Sequence, residues 1–571
     1  MKYPDIKDKE FNKKIYNKYK KYEIPKKKKT FKQICYPKDF ILQPQQKFLS
    51  DFMKPTTPYK GLLVFHRIGA GKTCTAVRIA EEWKHSHQII VVVPASLRGN
   101  FKNELRSLCA QNEYLKPIER EQLEILHPSN DEYKKIIKRS DQRINNNYKI
   151  YSYNKFVDLV ENKKLNLSKT ILIIDEIQNM VSADGYYYKT LLNTIQNAPR
   201  TLKVVGLTAT PIFDKPVEIA LTMNLLKIPI KFPTGSTFNN MFIENNRAKN
   251  LTMFKDRIRG FVSYYRGAPP YVFPEATIKY KKCRMSNFQY RSYQTVLAGE
   301  KKRQGIKKFK EQASMFKEGN VIKLPNNFFI GTRLISNVAY PNKKINQKGF
   351  ESWKGDSLKL KNLKNYSIKF YTIIKKILKS SGTSFVYCNF TEYGGILAFK
   401  KALEAQGFSN YLETGEGWKR YSILSGLEND AQKEEIKAVF NKNSNTRGQK
   451  IKVIIGSPSV AEGHSFKNCR NVHIMEPYWN QSKLDQIIGR AVRYCSHKLL
   501  DEDKRNVKVY IYIAIHEKIK ESIDEYIRKL ANKKDQLIKE FEYALKEIAI
   551  DCKLFKNANQ FKNENSIVCD L

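Results

Sequence analysis

The stretch Gly61-Leu-Leu-Val-Phe-His-Arg-Ile-Gly-Ala-Gly-Lys-Thr73 decides the fold prediction. It begins as an apolar run typical of a buried strand and leads into a helical pattern from Cys74 to Trp83. Between the two, glycines let backbone N–H groups close around phosphate oxygens, and the helix N-terminus adds its dipole. The sequence therefore predicts an ATP-binding phosphate loop, in which Lys72 reaches the β- and γ-phosphates and Thr73 holds Mg²⁺. The residues assigned to the nucleotide in this loop are Gly69, Gly71, Lys72 and Thr73.

Two carboxylates follow a second apolar run. Thr170-Ile-Leu-Ile-Ile-Asp-Glu-Ile-Gln178 predicts a strand that ends at Asp175 and Glu176, and the ligands of a parallel sheet bind where its strands end. Asp175 is predicted to hold Mg²⁺, directly or through water, and Glu176 to polarise the attacking water. A third run ends in Thr208-Ala209-Thr210, whose hydroxyl groups could hydrogen-bond this acidic pair and sense the γ-phosphate.

A glutamine and two arginines lie far along the chain from this loop. In the segment 486–493, Gln486, Arg490 and Arg493 fall at i, i+4 and i+7, which predicts one face of a helix. Two arginines beside a glutamine suit a planar, bidentate grip on a triphosphate. We therefore predict that a second lobe completes the ATP site with an arginine finger supplied in cis.

Short β-rich apolar runs alternate with helical stretches in two blocks of the chain, which is typical of βαβ units and parallel sheets. The runs of the first block are Gly61–Phe65, Gln88–Val93, Thr170–Ile174 and Lys203–Leu207. Those of the second block are Thr383–Cys388, Lys452–Ile455, Asn471–Met475 and Val507–Ile515. We therefore predict an α/β fold with five segments. They are a basic N-terminal extension (1–38), a first α/β lobe (39–230), a linker or inserted module (231–365), a second lobe (366–515) and a helical C-terminal extension (516–571).

Composition indicates a polyanionic partner. The 571 residues include 103 Lys and Arg against 56 Asp and Glu, and the net charge of +47 favours nucleic acid ahead of a membrane surface. An AT-rich genome, which raises Lys, Asn, Ile and Tyr together, accounts for part of this excess. Residues 1–30, rich in Lys and Tyr, are expected to form a mobile or peripheral arm.

Other classes of protein are not expected. The start of the chain has no apolar core of a signal peptide, and no apolar run approaches the roughly 20 residues of a membrane helix. The nine cysteines include no CxxC pair, which disfavours zinc. Their odd number, without a secretory signal, predicts reduced thiols in an intracellular, cytoplasmic protein.

In this order, the motifs resemble those of superfamily 2 helicases and translocases. Leu42-Gln-Pro-Gln-Gln46 resembles the adenine-reading motif of that family, which implies a base contact for Gln46. His66 departs from the pattern GxxxxGK[ST], since it occupies the place of the first glycine, a position that many helicase-like ATPases relax. Segments 91–97, 151–154 and 385–390 resemble motifs Ia, Ib and IV, of which the first two would touch the nucleic-acid backbone. Segment 456–463 resembles motif V, which links strand contact to the ATP site and implies a nucleotide contact for Gly463.

A narrower resemblance points to the helicase-like ATPases of poxviruses, of other large cytoplasmic DNA viruses and of yeast cytoplasmic linear plasmids. The segments that carry it are 259–267, 273–275, 477–480, 489–497 and 549–552. This family implies two tandem RecA-like lobes, ATP and Mg²⁺ between them, and a nucleic-acid strand across their tops. Trp479, within one of these segments, is expected to pack locally rather than stack on a base.

The function predicted from residues and resemblance is an ATP-dependent translocase or helicase acting on DNA or RNA in viral-type cytoplasmic transcription. Its partners would include nucleic acid and a multisubunit RNA polymerase or transcription factor, in a viral factory, a virion or a cytoplasmic plasmid system. One alternative is an initiation or termination factor subunit that binds nucleic acid with little or no unwinding. Another is a scaffold with a vestigial ATP site, which the presence of the catalytic residues disfavours. A restriction-type or chromatin-type motor would need a nuclease or histone-reading module, and neither is evident.

Overall fold

The structure is a computed structural model. The residues that it describes are 3–26, 29–126, 130–181, 185–304, 328–425, 428–458, 464–560 and 566–571. The chain divides into two compact units: unit 1 contains Met1–Pro270 together with Leu537–Leu571, and unit 2 contains Tyr271–Gln536.

Unit 1 is built on a six-stranded parallel sheet with the strand order β3-β2-β4-β5-β1-β8. Its strands are β1 Gly61–His66, β2 Gln88–Val93, β3 Tyr148–Ser152, β4 Thr170–Asp175, β5 Lys203–Thr208 and β8 Val262–Tyr265. A two-residue antiparallel pair, β6 Ile243–Glu244 and β7 Arg247–Ala248, lies outside this sheet. Every residue of β1 and of β4 is buried, because helices cover a parallel sheet on both faces. That burial explains why the strands read as continuous apolar runs.

Three helices of unit 1 precede β1, and the others lie in the connections between the strands. They are α1 Phe11–Tyr19, α2 Phe31–Cys35, α3 Pro44–Phe52, α4 Lys72–Glu81, α5 Arg98–Leu105, α6 Pro117–Ile125, α7 Asp131–Asn147, α8 Tyr153–Glu161, α9 Tyr186–Asn197, α10 Val217–Leu225, α11 Gly235–Phe242 and α12 Leu251–Ile258.

The N-terminal segment is packed against unit 1, which corrects the expectation of a mobile or peripheral arm. Phe11, Ile15 and Tyr19 lie one helical turn apart on α1 and are fully or almost fully buried. They join the core that contains Phe48 and Tyr59, and the Phe11 and Tyr59 rings meet edge to face. The lysines of α1 lie between these apolar positions. The high lysine content therefore does not indicate that one face of the helix is apolar and buried.

Unit 2 contains a seven-stranded parallel sheet with the order β11-β12-β13-β10-β14-β15-β9. Its strands are β9 Glu275–Arg284, β10 Thr383–Tyr387, β11 Ser409–Asn410, β12 Arg420–Leu424, β13 Val453–Gly456, β14 Cys469–Ile474 and β15 Asn506–Ile515. Its helices are α13 Asn287–Gln304, α14 Ile330–Asn337, α15 Gln347–Ser352, α16 Leu360–Tyr366, α17 Ile368–Lys379, α18 Ile396–Glu404, α19 Tyr411–Thr414, α20 Asp430–Phe440 and α21 Gln481–Ile488. The prediction of two parallel α/β lobes is confirmed.

The C-terminal part is helical, as predicted, with α22 Ile523–Ile548 and α23 Lys556–Asn559. The range 231–365, in contrast, is more regular than its sequence indicates, because it supplies an edge strand to each sheet. One is β8 of unit 1, and the other is β9, which pairs over ten residues with β15. Most of β9 is exposed, so this strand lacks the apolar run that marks a buried one.

A fully buried ion pair lies in the core of unit 2. The Lys369 ammonium is 2.7 Å from Oδ2 of Asp524, and both side chains are almost completely removed from solvent. Lys369 also donates to Oδ1 of Asn337, and Asp524 accepts the Ala514 N–H. These extra hydrogen bonds compensate for the desolvation of the two charges.

Among the described residues, no helix combines the length and the apolar character needed to cross a membrane.

Candidate ATP-binding site

The glycine-rich loop joins β1 to α4 and takes the shape expected of a phosphate loop. Gly69 and Gly71 have φ angles of 83° and 75°, a region that residues with a Cβ rarely occupy. α4 begins at Lys72, so its free N–H groups point toward the loop, with Thr73 as its second residue. The buried strand and the helix therefore hold four predicted nucleotide-binding residues in one turn.

Lys72 lies against the acidic pair at the end of β4. Its Nζ is 2.5 Å from Oε1 of Glu176 and 3.2 Å from Oδ1 of Asp175. Burial opposes the charge of this lysine, but the two carboxylates outweigh burial and raise the pKa of Lys72. Three predicted catalytic groups, separated by about a hundred residues in the chain, therefore meet at the carboxyl edge of the sheet.

Two further side chains position the acidic pair, and neither was predicted to have a catalytic role. The Tyr153 hydroxyl lies 2.6 Å from the carbonyl oxygen of Asp175 and 3.0 Å from that of Glu176. Gln178 donates from Nε2 to Oε2 of Glu176 at 2.7 Å. Glu176 itself has a φ of 49°, an unusual backbone conformation for a residue with a long side chain. Such a conformation is held by its surroundings and is frequent at functional sites.

The predicted adenine-reading segment begins α3 and lies against the loop. Gln45 donates to the carbonyl of Ala70, and Oε1 of Gln46 accepts the N–H of Gln43. The φ of 75° favours glycine at position 71, and a Cβ there would sit 2.7 Å from Nε2 of Gln46, so the amide end of that side chain would have to move. Gln46 therefore lies beside the loop, and its base contact remains a prediction.

His66, which replaces the first glycine of the pattern, is the start of a buried hydrogen-bond chain. Its Nε2 is 3.0 Å from Oγ of Ser263 on β8, and the Ser263 hydroxyl donates to Oδ2 of Asp551. Oδ1 of Asp551 accepts the Tyr264 N–H at 2.9 Å. Burial lowers the pKa of His66 to about 3 and raises the pKa of Asp551 to about 7. The imidazole is therefore neutral at physiological pH, and its role here is structural.

The C-terminal segment that contains Asp551 and Asn559 contacts β8 and thereby supports the phosphate loop. Asn559 accepts the Arg266 N–H on Oδ1 and donates from Nδ2 to the Tyr264 carbonyl. Just beyond, Gly267 has a φ of 105°, and a Cβ there would lie 3.2 Å from Cβ of Ala70 in the phosphate loop. Segments 259–267 and 549–552, which carried only a resemblance in the sequence, are thus the packing partners of β1 and its loop.

The third motif lies in unit 2, and the structure corrects its predicted secondary structure. Helix α21 ends at Ile488, so Gln486 lies in its last turn. Arg490 lies in the turn that follows, and Arg493 lies beyond that turn in irregular chain. Gly489, a weak helix former, stands at the C-cap. The arginines satisfy the open carbonyls there: Nε of Arg490 donates to the Gln486 carbonyl, and Nε of Arg493 to that of Gly489.

Other predictions have mixed outcomes. The Thr208 hydroxyl accepts the Thr210 N–H at 3.0 Å, which shapes the end of β5. Trp479 packs locally, as expected: it is 6% exposed, and its ring stacks on that of Tyr478 with 4.4 Å between the ring centroids. Gly463 lies outside the described residues, so its nucleotide contact stays a prediction.

The expectation of reduced thiols differs from the structure. Disulfides join Cys74 to Cys109 and Cys552 to Cys569, with Cα–Cα distances of 5.5 and 5.7 Å. These partners are 35 and 17 residues apart in sequence, and only folding brings them together. Free, buried thiols among the described residues are Cys283, Cys388 and Cys469.

Comparison with known proteins agrees with the two lobes and their motifs. The model of the SNF2-related domain matches residues 18–335, and that of the helicase conserved C-terminal domain matches residues 369–495. A protein of Acanthamoeba polyphaga mimivirus, named as a putative ATP-dependent RNA helicase, is 51% identical over 100% of this chain and 99% of its own. A termination factor NPH-I homolog of African swine fever virus is 25% identical over 86% of this chain and 76% of its own. Among solved structures, the Hef helicase domain of Pyrococcus furiosus has a TM-score of 0.40 at 12% identity, covering 82% of this chain and 94% of that one.

The family match covers more than half of the chain, and the relative from mimivirus matches it from end to end. Both agree with the phosphate loop, the acidic pair and the parallel sheets of the two units. The chain belongs to the SNF2-related superfamily 2 helicases, among the ATPases of large DNA viruses, and is a nucleic-acid-dependent ATPase.

Proposed function

We propose that this ATPase hydrolyses ATP at the phosphate loop of unit 1, with Lys72, Asp175 and Glu176 as the catalytic groups. The observation that carries this proposal is the meeting of the Lys72 ammonium with both carboxylates, at 3.2 and 2.5 Å. Glu176 is the group assigned to polarise the attacking water, because it follows the buried Asp175 at the strand end. Gln486, Arg490 and Arg493 of unit 2 are assigned to stabilising charge on the triphosphate.

Mg²⁺ fits the oxygen ligands available beside the loop. The buried carboxylate of Asp175 and the hydroxyl of Thr73 are hard oxygen donors of the kind that Mg²⁺ prefers. Bound there, Mg²⁺ would neutralise charge on the β- and γ-phosphates. Lys72 would exchange its carboxylate contacts for phosphate oxygens, and Gln178 would keep Glu176 oriented.

Variants of these residues test the assignment. Glu176→Gln is expected to keep ATP binding and to reduce hydrolysis by about 10²- to 10⁴-fold, since it removes the general base. Arg490→Ala is expected to reduce hydrolysis by about 10³-fold or more. Phosphate release and binding of a fluorescent ATP analogue measure the two steps separately. Glu132→Gln, on the surface of unit 1, is the matched control. Hydrolysis at the wild-type rate in Glu176→Gln would remove Glu176 from this role.

We further propose that the enzyme translocates on nucleic acid during transcription of a cytoplasmic DNA virus or plasmid. The net charge of +47 and the name of the African swine fever virus relative, a termination factor homolog, support this context. A polymerase or transcription factor partner follows from the same context. ATPase rates with single-stranded DNA, duplex DNA and RNA, each over a range of salt, would identify the preferred strand.

A second candidate is an initiation or termination factor that uses ATP with little or no unwinding. The same termination factor homolog favours it, whereas the name of the mimivirus relative favours an RNA helicase. A forked-duplex assay separates the two. Strand separation that requires ATP supports the helicase, and intact ATPase activity without separation supports the factor.

A further inference from the structure

The edge of the unit 2 sheet where the strands begin carries a basic cavity of about 850 Å³. Lys419 and Lys452 immediately precede β12 and β13, and Arg470 lies at the start of β14. The described site motifs of this unit follow the opposite ends of the strands, so the cavity is separate from them. A second cavity of about 500 Å³ shares Leu378 with the first, and its lining includes Lys361, Lys375 and Lys379. We call the two together the basic groove.

Positive charge in the basic groove is largely uncompensated. Lys419, Arg447, Lys452 and Arg470 make no salt bridge within the part of the chain that the structure describes, and Asp503 acts on Arg470 only at longer range. Asp501, the acidic residue of the lining, is already paired with Lys504 at 2.6 Å. A lining of this kind favours an anion with several charges.

Lys452 is the most deeply placed of these cations. Its Nζ donates to the carbonyl oxygens of Ser380 at 2.7 Å and Arg447 at 3.3 Å, which fixes it in the wall of the cavity. Burial lowers its pKa to about 8, so an anion nearby would favour the charged form.

An exposed indole completes the basic groove. Trp418 is 64% exposed, whereas the other three tryptophans, Trp83, Trp353 and Trp479, are at most 6% exposed. The exposed ring therefore offers a flat face, beside several cations, on which an aromatic partner can stack. Bases of a single strand stack on exposed aromatic rings, and cations beside the ring neutralise the phosphate backbone.

We propose that the basic groove binds a single strand of nucleic acid, with a base stacked on Trp418 and phosphates held by Arg447, Lys452 and Arg470. A free nucleotide also consists of a base joined to a phosphate. The groove continues into the second cavity with three more lysines, however, and this length favours a strand over a free nucleotide. This site goes beyond the proposed ATP hydrolysis and does not depend on it. It would hold a strand away from the helicase motifs.

Trp418 gives a direct readout, because it is the exposed tryptophan of the chain. The experiment measures acrylamide quenching of the tryptophan fluorescence of the full-length protein in the absence of ATP. It is done with and without a strand of poly(dT) or poly(U) that is about 20 nucleotides long. We expect the strand to protect the fluorescence of Trp418 from acrylamide. The fluorescence of the three buried tryptophans, which acrylamide does not reach, should remain unchanged. Photocrosslinking with bromodeoxyuridine should attach the strand to the peptide that contains Trp418. Repeating the measurement in Lys72→Ala keeps the result independent of ATP turnover.

Charge variants provide the matched comparison. Arg447→Glu is expected to weaken the protection of Trp418 by about tenfold or more, since it reverses a phosphate contact. Lys520→Glu, an exposed position of unit 2 with the same change of charge, should have little effect. Basal ATPase activity without nucleic acid should be unchanged in both variants, which shows that they fold.

Three results would overturn the proposal. The first is unchanged quenching of Trp418 at a strand concentration that saturates binding by fluorescence anisotropy. The second is protection by dTMP or UMP as strong as by the strand, which would make the groove a pocket for free nucleotides. The third is protection by polyglutamate but not by either strand, which would assign the groove to an acidic protein.

Discussion

Asp551→Ala tests whether the C-terminal segment supports the phosphate loop. In the wild type, Asp551 accepts the Ser263 hydroxyl and the Tyr264 N–H, and Ser263 contacts His66 at the end of β1. Alanine leaves the buried Tyr264 N–H without its acceptor and removes the carboxyl group that accepts the Ser263 hydroxyl. Each of these two losses costs about 1–3 kcal/mol, so the local free energy of unfolding should fall by about 2–6 kcal/mol.

The choice of pH and of control decides how clearly this loss is seen. At pH 6, below its raised pKa of about 7, Asp551 is mostly protonated, so the variant removes hydrogen bonds without relieving a buried charge. Asp551→Asn keeps an acceptor for Tyr264 and a polar group for Ser263, and should stay close to the wild type. Asp158→Ala, on the surface of unit 1, controls for the loss of a carboxylate.

Hydrogen–deuterium exchange of peptides from β1 and β8 measures the local effect at that pH. Asp551→Ala should lower their protection by at least about 30-fold, the equivalent of about 2 kcal/mol. Binding of a fluorescent ATP analogue should weaken in parallel, because β1 leads directly into the phosphate loop. Unchanged protection in Asp551→Ala, or an equal loss in Asp551→Asn, would refute the supporting role of this carboxyl group.

Three further predictions follow from other contacts. Gly71→Ala should weaken ATP binding, because its φ of 75° is strained for a residue with a Cβ and because the new Cβ displaces Nε2 of Gln46 beside the loop. Gly299→Ala, with open space around its Cβ, should bind normally in the same titration. Between pH 4 and 7, the folded wild type keeps Asp551 protonated, whereas this carboxyl group ionises in the unfolded chain. The free energy of unfolding in urea should therefore fall with rising pH relative to that of Asp551→Asn, by up to about 1.4 kcal/mol per pH unit. Parallel plots of this free energy against pH for the two proteins would contradict the prediction. Lys369→Met leaves the buried Asp524 carboxylate without its cation and should destabilise unit 2 by about 3–5 kcal/mol in thermal unfolding, whereas an unchanged transition would show that Asp524 needs no partner.

The strands that the sequence predicts are the buried ones. β1 and β4 are covered on both faces and leave an uninterrupted apolar signature, so their bounds agree with prediction to within one residue. β9 escapes notice because it is an edge strand whose exposed positions include Lys279 and Lys281. Its partner β15 is predicted from its own apolar run. The polar sequence of β9, however, has no hydrophobic periodicity that would indicate a strand paired with β15.

The candidate site divides in the same way. Lys72 and the pair Asp175–Glu176 are encoded in short local patterns, and the structure brings these groups together. Ser263 and Asp551 are 288 residues apart, and neither stands in a pattern that assigns it a partner. Resemblance alone marked both segments. Their support of the loop required the three-dimensional contacts.

The division of the chain has a consequence for the order of events on the ribosome. Unit 1 is discontinuous: its chain leaves after Pro270 and returns only at Leu537, and Asp551 and Asn559 belong to the returning part. At roughly 5–20 residues per second, synthesis of the intervening and returning stretches takes on the order of tens of seconds. Throughout that interval β8 lacks its final partners, while unit 2, which is continuous, can complete its own sheet. Maturation of the ATP-binding lobe should therefore follow that of the lobe encoded after it, the reverse of the order in which most tandem domains emerge.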